Sequence, residues 1–247
     1  MKVTVVRNYE ELSEKAASFI ASKMISKPNI NLAIPMGSTP LGMYQGLVKL
    51  HESKGLDFSL ATIFTLDEYL GLAPEDPQSY SYFLRSNFID RINVKPENVH
   101  LLSGMISKEK LVSYCKSFED LIVRNGGLDL AVLGIGGNGH IAFNEPASSP
   151  SSRTRMVELT QQTIQDNSRF FPSLDAVPQQ AITMGISTIM GSKALMLLAS
   201  GDSKADILAK ALEGPVTEEV PASILQRHKN VIIIADEAAA SKLKKRV

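Results

Sequence analysis

The chain has one cysteine, Cys115, and no tryptophan. A single thiol excludes an intrachain disulfide and a cysteine-rich zinc site. Histidine is nearly as scarce. His51, His100, His140 and His228 are scattered, and none stands at HExxH spacing, so no metal site is expected. Charge of one sign is missing too. The 26 basic and 26 acidic residues cancel to a formal net charge of +0, which offers no footprint for nucleic acid or for an anionic membrane. No apolar run approaches the roughly 18 residues of a membrane span. The opening MKVTVVRNYEEL lacks the apolar stretch of a signal peptide. These absences predict a cytoplasmic protein with no nucleic-acid and no membrane partner.

What is present suits a globular enzyme. Hydrophobic residues make up 44% and charged residues 21% of 247 residues, a length compatible with one large domain or two small ones. Short apolar runs alternate with amphipathic stretches. Strands are expected at Val3–Val6, Asn31–Ile34, Ala61–Leu66, Leu128–Ile135, Ala194–Ala199 and Val231–Ala235. Helices are expected at Glu11–Met24, from Pro40 to about Glu52, at 79–92, at 108–124, at Ser203–Leu212 and after the last strand. Several strands are continuously apolar, as in a parallel sheet covered on both faces. The expected fold is therefore α/β, doubly wound and Rossmann-like, with a mostly parallel sheet and helices on both faces. There is no repeat and no low-complexity linker, so residues 1–247 read as a single domain. The Ser- and Pro-rich stretch 144–154 reads as an active-site loop.

In such a fold ligands bind beyond the C-terminal strand ends, and the unusual polar residues stand there. After the second strand come Gly37, Ser38, Thr39 and Pro40. Thr39 as N-cap and Pro40 as first helical residue would start a helix. Gly37 permits a tight bend, and hydroxyls beside free helix amides suit a phosphate. An ordinary capped turn would read the same way, but the motif is neither GxGxxG nor a P-loop. After the third strand come Asp67 and Glu68, where a carboxylate can serve as general base or merely cap the next element. After the fourth come Gly134-Ile135-Gly136-Gly137-Asn138-Gly139-His140, with Glu145 five residues on. A histidine in a glycine-rich turn can move protons near neutral pH, and Glu145 can orient it. After the fifth comes Lys204 in a first helical turn, where the dipole disfavours a cation unless an anion is bound or Asp202 pairs with it. Arg169, ahead of Phe170 and Phe171, either packs by its stem or clamps an anion. Together these describe a site for a phosphorylated small molecule with proton-transfer groups.

The segments GSTPLGMY (37–44), FTLDEYLGL (64–72), GIGGNGHIAFNEPASS (134–149), NSRFF (167–171), GDSK (201–204) and VIIIADEAA (231–239) together resemble the glucosamine-6-phosphate deaminase (isomerase) family nearly end to end. The resemblance implies deamination and aldose–ketose isomerisation of glucosamine 6-phosphate to fructose 6-phosphate and ammonia, with no cofactor and no metal. It implies that Gly37, Ser38, Thr39, Arg169 and Lys204 hold the phosphate. It also implies that Asp67 moves the C2 proton to C1, that His140 opens the ring, and that Glu145 partners the histidine. Family members range from monomers to hexamers, which leaves a homo-oligomer open. Residues from about 160 to 180 are expected to form a lid. Galactosamine-6-phosphate deaminase is a close rival reading. 6-Phosphogluconolactonase is similar in GSTP and GHxA, but this chain has Asp67-Glu68-Tyr69 in place of DER and carries FNEP at 143–146. A non-catalytic sugar-phosphate sensor is the rival of another class.

Two positions depart from well-known members. Asn138 replaces an aspartate that some members carry. An asparagine can hold the imidazole by a hydrogen bond but cannot stabilise it by charge, so a lower His140 pKa is expected. Val157 stands where allosteric members have a lysine, and valine offers nothing to an activator phosphate. Rates measured against substrate should therefore be unaffected by N-acetylglucosamine 6-phosphate. A sigmoidal curve that this compound makes hyperbolic would refute the expectation.

Overall fold

The structure, a computed structural model, describes residues 1–244. Along the chain the elements are β1 (Lys2–Val6), α1 (Tyr9–Ser26), β2 (Asn31–Ile34), α2 (Ser38–Lys54), β3 (Thr62–Thr65), β4 (Asp67–Tyr69), α3 (Tyr80–Asn87), β5 (Val99–His100), α4 (Leu111–Arg124) and β6 (Leu130–Leu133). They continue with β7 (Arg155–Glu158), α5 (Gln161–Asn167), β8 (Gln180–Thr183), α6 (Ile186–Met190), β9 (Ala194–Ala199), α7 (Ala205–Glu213) and β10 (Val231–Asp236). Short 3-10 turns join several of them.

Seven strands form one sheet in the order β1-β10-β9-β6-β2-β3-β5, and every pairing in it is parallel. The expected strands fall in this sheet. Their unbroken apolar runs follow from coverage on both faces, with side chains alternating between two cores. Leu130 and Val132 of β6 join Met196 and Leu198 of β9 in a core with Leu12, Ala16 and Ile20 of α1 and Met43 and Leu47 of α2. Ala131 and Leu133 join Leu195 and Leu197 on the opposite face with Phe118 and Ile122 of α4 and Leu208 and Ala211 of α7.

The order reverses direction between β2 and β6. From β2 the chain steps outward to β3 and β5, and from β6 it steps the other way to β9 and β10. Loops leaving β2 and β6 therefore diverge to opposite faces, which opens a crevice at their C-terminal ends.

A second, smaller sheet, β4-β8-β7, is antiparallel and was not expected from the sequence. The two carboxylates of β4 mask its strand character, and Arg155–Glu158 is a short half-exposed strand with no apolar run. Three expected boundaries also change. The helix expected over 79–92 ends at Asn87 and gives way to a single 3-10 turn at Ile89–Arg91. Helix α2 begins at Ser38 with Gly37 as its N-cap, so Thr39 and Pro40 lie inside the first turn. No helix follows β10 among the described residues, because Asp236 accepts the Ala239 amide at 2.8 Å and closes the chain into turns. Among those residues no helix is long and apolar enough to cross a membrane.

The end of the sheet opposite the crevice is clamped by one buried carboxylate. Asp129 Oδ2 accepts Lys27 Nζ at 2.5 Å and the Asn31 amide at 2.8 Å, while Oδ1 accepts Lys193 Nζ at 2.8 Å. These bonds tie together the starts of β2, β6 and β9. Burial raises the Asp129 pKa, but the two ammonium groups and the amide outweigh it and hold the carboxyl below its ordinary value. A depressed pKa stabilises the fold above the unfolded-state value of about 3.9 and ceases to do so as pH falls through the folded one. Asp129→Asn should lower the unfolding free energy by about 1–3 kcal/mol at pH 7. In urea titrations the gap to the parent should shrink below about pH 4, and a gap independent of pH would contradict the assignment.

Candidate active site

The crevice is a cleft of about 720 Å³. Its walls carry Gly37, Ser38 and Thr39 from the loop after β2, Asp67 from β4, Asn138 and His140 from the loop after β6, Arg169, and Lys204 from the turn after β9. Eight of the nine residues singled out from the sequence thus line one cavity. The ninth, Glu145, is buried directly behind His140. Of the stretch 144–154, Asn144 and Glu145 support the site from behind. The remainder packs elsewhere: Ser152 accepts the Ser187 and Ile186 amides of α6, and Arg153 and Thr154 bond Glu119 of α4, so residues 146–154 do not line the cleft.

One wall is built to meet an anion. Gly37 holds φ +130°, in a region other residues rarely adopt, and this turns the amides at the start of α2 toward the cleft. No acceptor among the described residues satisfies the Ser38 and Thr39 amides. Tyr9 braces the same turn from below: its hydroxyl accepts the Gly42 amide and donates to the Ser38 carbonyl, each at 2.8 Å. Across the cleft the Arg169 guanidinium lies 4.7 Å from the centre of the Phe170 ring. Lys204 is half-buried, and among the described residues neither it nor Arg169 has an ion pair within 4.0 Å, so the pairing of Lys204 with Asp202 is not found. Burial lowers the Lys204 pKa, Asp166 acts to raise it, and Arg169 lowers it again. Buried Asp236, unremarked in the sequence, shapes this turn from behind by accepting Ser200 Oγ at 2.5 Å and the Gly201 amide at 3.1 Å.

The same cleft holds the titratable groups. The chain leaves the main sheet at Leu66, whose carbonyl accepts the Met184 amide at 2.7 Å. Asp67 then opens β4 opposite Thr183, buried but facing the cleft. Burial, and next the charge of Glu68, push its carboxyl up to about 8. Glu68 turns the other way and is consumed structurally. Oε1 accepts the Tyr69 and Tyr80 amides at 2.9 Å each and Oε2 accepts the Ser81 amide at 2.8 Å, which caps the start of α3. Adjacent carboxylates thus have separate tasks, one capping a helix and one open to a ligand.

His140 packs flat against the glycine turn. A Cβ on Gly136 would lie 2.2 to 2.4 Å from three atoms of the imidazole, so glycine there is a condition for the ring's position. Nδ1 faces Glu145 Oε2 at 3.5 Å and Thr163 Oγ1 at 3.4 Å. Nε2 makes no hydrogen bond to the described residues. Burial raises the Glu145 pKa, but its bonds to His140, Thr163 and Asn138 and the charge of His140 prevail and hold it at about 2. Asn138 does not reach the imidazole. Its amide donates to Glu145 Oε2 at 2.6 Å and its carbonyl oxygen accepts the His140 backbone amide at 3.2 Å. It therefore orients the carboxylate and the loop, and the charge facing the imidazole is that of Glu145. Among the described residues no group of three or more His, Cys, Asp or Glu could hold a metal.

Tyr80, Phe143, Gln162, Asp166, Asn167, Ser200 and Ser203 also line the cleft. Tyr80 stacks on Phe143 at 5.7 Å. The sequence placed α5 in the expected lid of 160–180 and Asn167 in the NSRFF segment, but singled out neither Gln162 nor Asp166.

Fold and cleft define an α/β protein with cations, free amides and proton-transfer groups gathered at a switch point. The family model for glucosamine-6-phosphate isomerases and 6-phosphogluconolactonase matches residues 7–234, and the chain belongs to that family, as its motifs implied. Glucosamine-6-phosphate deaminase of Thermoanaerobacter sp. (strain X514) is 48% identical over 241 residues, 98% of this chain and 94% of its relative. That of Clostridioides difficile (strain 630) is 48% identical over 243 residues, 98% and 97% of the two chains. A solved structure described as a monomeric glucosamine-6-phosphate deaminase superposes with a TM-score of 0.95 at 43% identity, covering 98% of this chain and 100% of its own. The 6-phosphogluconolactonase of Trypanosoma brucei shares the fold, with a TM-score of 0.79 at 17% identity and 98% coverage of each chain.

The Asp67 carboxyl should titrate near pH 8 in a carbon-13 NMR experiment, and Glu68→Gln should lower that midpoint because a neighbouring negative charge is removed. A midpoint near 4 in the parent, or one unmoved by the substitution, would contradict this reading.

Proposed function

We propose that this protein deaminates and isomerises glucosamine 6-phosphate to fructose 6-phosphate and ammonia. The observation that carries the reading is one cleft lined both by anion-receiving groups and by a buried carboxylate that has no partner among the described residues. Near-full-length similarity to glucosamine-6-phosphate deaminases supports it.

The phosphate docks on the Ser38 and Thr39 amides and hydroxyls, beside Arg169 and Lys204, with Gly37 shaping the turn. Helix α2 adds the positive end of its dipole. The sugar then extends toward Asp67. His140 Nε2 takes the C1 hydroxyl proton, which makes the ring an imidazolium, and then gives a proton to the ring oxygen as the C1–O bond of the pyranose breaks and leaves the open aldehyde. Glu145, kept ionised, stabilises the imidazolium that forms in this exchange, and Asn138 keeps Glu145 in place.

Only with C1 as an open carbonyl is the C2 hydrogen acidic enough to be taken. Asp67 removes it, which yields an enolamine, and returns it to C1. The result is an imine at C2, to which water adds, and the C–N bond breaks to give the ketose and ammonia. A carboxylate near 8 is a stronger base than one near 4. The ammonium group of the arriving substrate favours its ionised form, so the base is charged when it is needed. No step calls on a metal or an organic cofactor. Residues 160–180 carry Arg169 and fold over the phosphate end as a lid. The partner is thus a small amino sugar phosphate.

The experiment is a product assay with glucosamine 6-phosphate, galactosamine 6-phosphate and 6-phosphogluconolactone. Ammonia and fructose 6-phosphate should appear in equal amounts from the first. Asp67→Asn should reduce that rate by at least 10²-fold while leaving sugar-phosphate binding in place. Faster turnover of the galacto epimer, or acid release from the lactone alone, would overturn the assignment. Tight binding with no turnover of any would point to a sensor.

A further inference from the structure

Asp166 is an anion in a cleft equipped to receive one. It stands on α5, three residues before Arg169, and lines the same cavity as Arg169 and Lys204. Its carboxylate reaches toward the glycine loop, with Oδ2 3.2 Å from where a Cβ on Gly137 would stand. The Gln162 side-chain amide holds Oδ1 at 2.8 Å, while Oδ2 has no hydrogen-bond partner among the described residues. Among those residues Lys204 also has no ion pair within 4.0 Å, and Asp166 is the acid whose charge acts on it. Nothing in the reaction above uses this carboxylate, since Asp67 is the base and Glu145 supports His140.

Two cations lining one cleft repel one another, and Arg169 does act against the charge of half-buried Lys204. A carboxylate beside the glycine loop in the same cleft relieves that repulsion and opposes a dianionic phosphate when one arrives. We propose that Asp166 is an internal anion that tempers the field of Lys204 and Arg169 and sets a ceiling on how tightly the cleft binds phosphate ligands. The inference rests on the deaminase reading for the identity of the phosphate ligand. Because Asp166 sits at the phosphate end, its penalty falls on every phosphate ligand alike. An ammonium receptor would instead favour the amino sugar over its ketose product.

The test is Asp166→Asn, which keeps the shape and the Gln162 bond and removes the charge. Three quantities are measured at 0.05 and 0.5 M salt: the Kd of inorganic phosphate by calorimetry, the inhibition constant of fructose 6-phosphate, and the KM of glucosamine 6-phosphate. All three should fall about two- to fivefold at low salt, as expected for loss of one partly exposed charge interaction. The gain should appear in KM rather than in kcat and should shrink at 0.5 M salt, where the field is screened. A rise confined to the amino sugar would make Asp166 an ammonium receptor and overturn the proposal. A rise in all three would make it a strut for Arg169, and no change in any would deny it a role. Failure of the deaminase reading shows separately, as absence of ammonia, while the inorganic phosphate arm still decides the role of Asp166.

Discussion

The reversal of strand order between β2 and β6 is the constraint on which the rest of the structure depends. A parallel sheet covered on both faces has little open surface, and the apolar side chains of its central strands are committed to one of two cores. The winding changes direction at one place, so the loops of two adjacent strands leave on opposite sides. The Gly37–Pro40 turn and the Gly134–His140 turn flank that gap, and the turn after β9 and the start of β4 complete its rim. The groups that can bind and those that can transfer protons stand on different strands. Only the crevice brings them within one sugar's length.

Five buried carboxylates show how the site is divided between holding and acting. Asp129, Glu68 and Asp236 spend their oxygens on backbone amides, hydroxyls and lysines, and fix strand starts, a helix start and the turn that carries Lys204. Glu145 is committed to Asn138, Thr160 and His140. Asp67 alone of the buried acids on the cleft wall has no such partners, so its burial raises its proton affinity uncompensated. The distinction is one of hydrogen-bond accounting. Asp67 and Glu68 are adjacent in sequence, and the direction in which β4 turns each of them decides which is structural and which faces a ligand.

Much of this was legible in the sequence, for physical reasons that also explain what was not. Continuous apolar runs such as Ala194–Ala199 can only be buried on both faces, so the parallel sheet followed from them. Polar residues placed immediately after those runs marked the rim of the cleft. The antiparallel sheet escaped because Asp67–Tyr69 and Arg155–Glu158 are short and polar, and their strand character comes from pairing with β8. Asn138 was expected at the imidazole because it stands where some family members carry an aspartate, yet its amide turns to Glu145. Asp166 carried no signal, because an acid on an exposed helix usually faces water. Asp236 lay in a segment whose strand character drew attention away from its last residue.

The central claim is that the phosphate and the reacting carbons occupy opposite ends of one cleft. A crystal structure with fructose 6-phosphate tests it most directly. The phosphate should rest against the Ser38 and Thr39 amides with Lys204 and Arg169 around it, and C1 and C2 should lie beside the Asp67 carboxyl. A phosphate bound elsewhere, or a sugar seated in reverse with C1 remote from Asp67, would contradict the account.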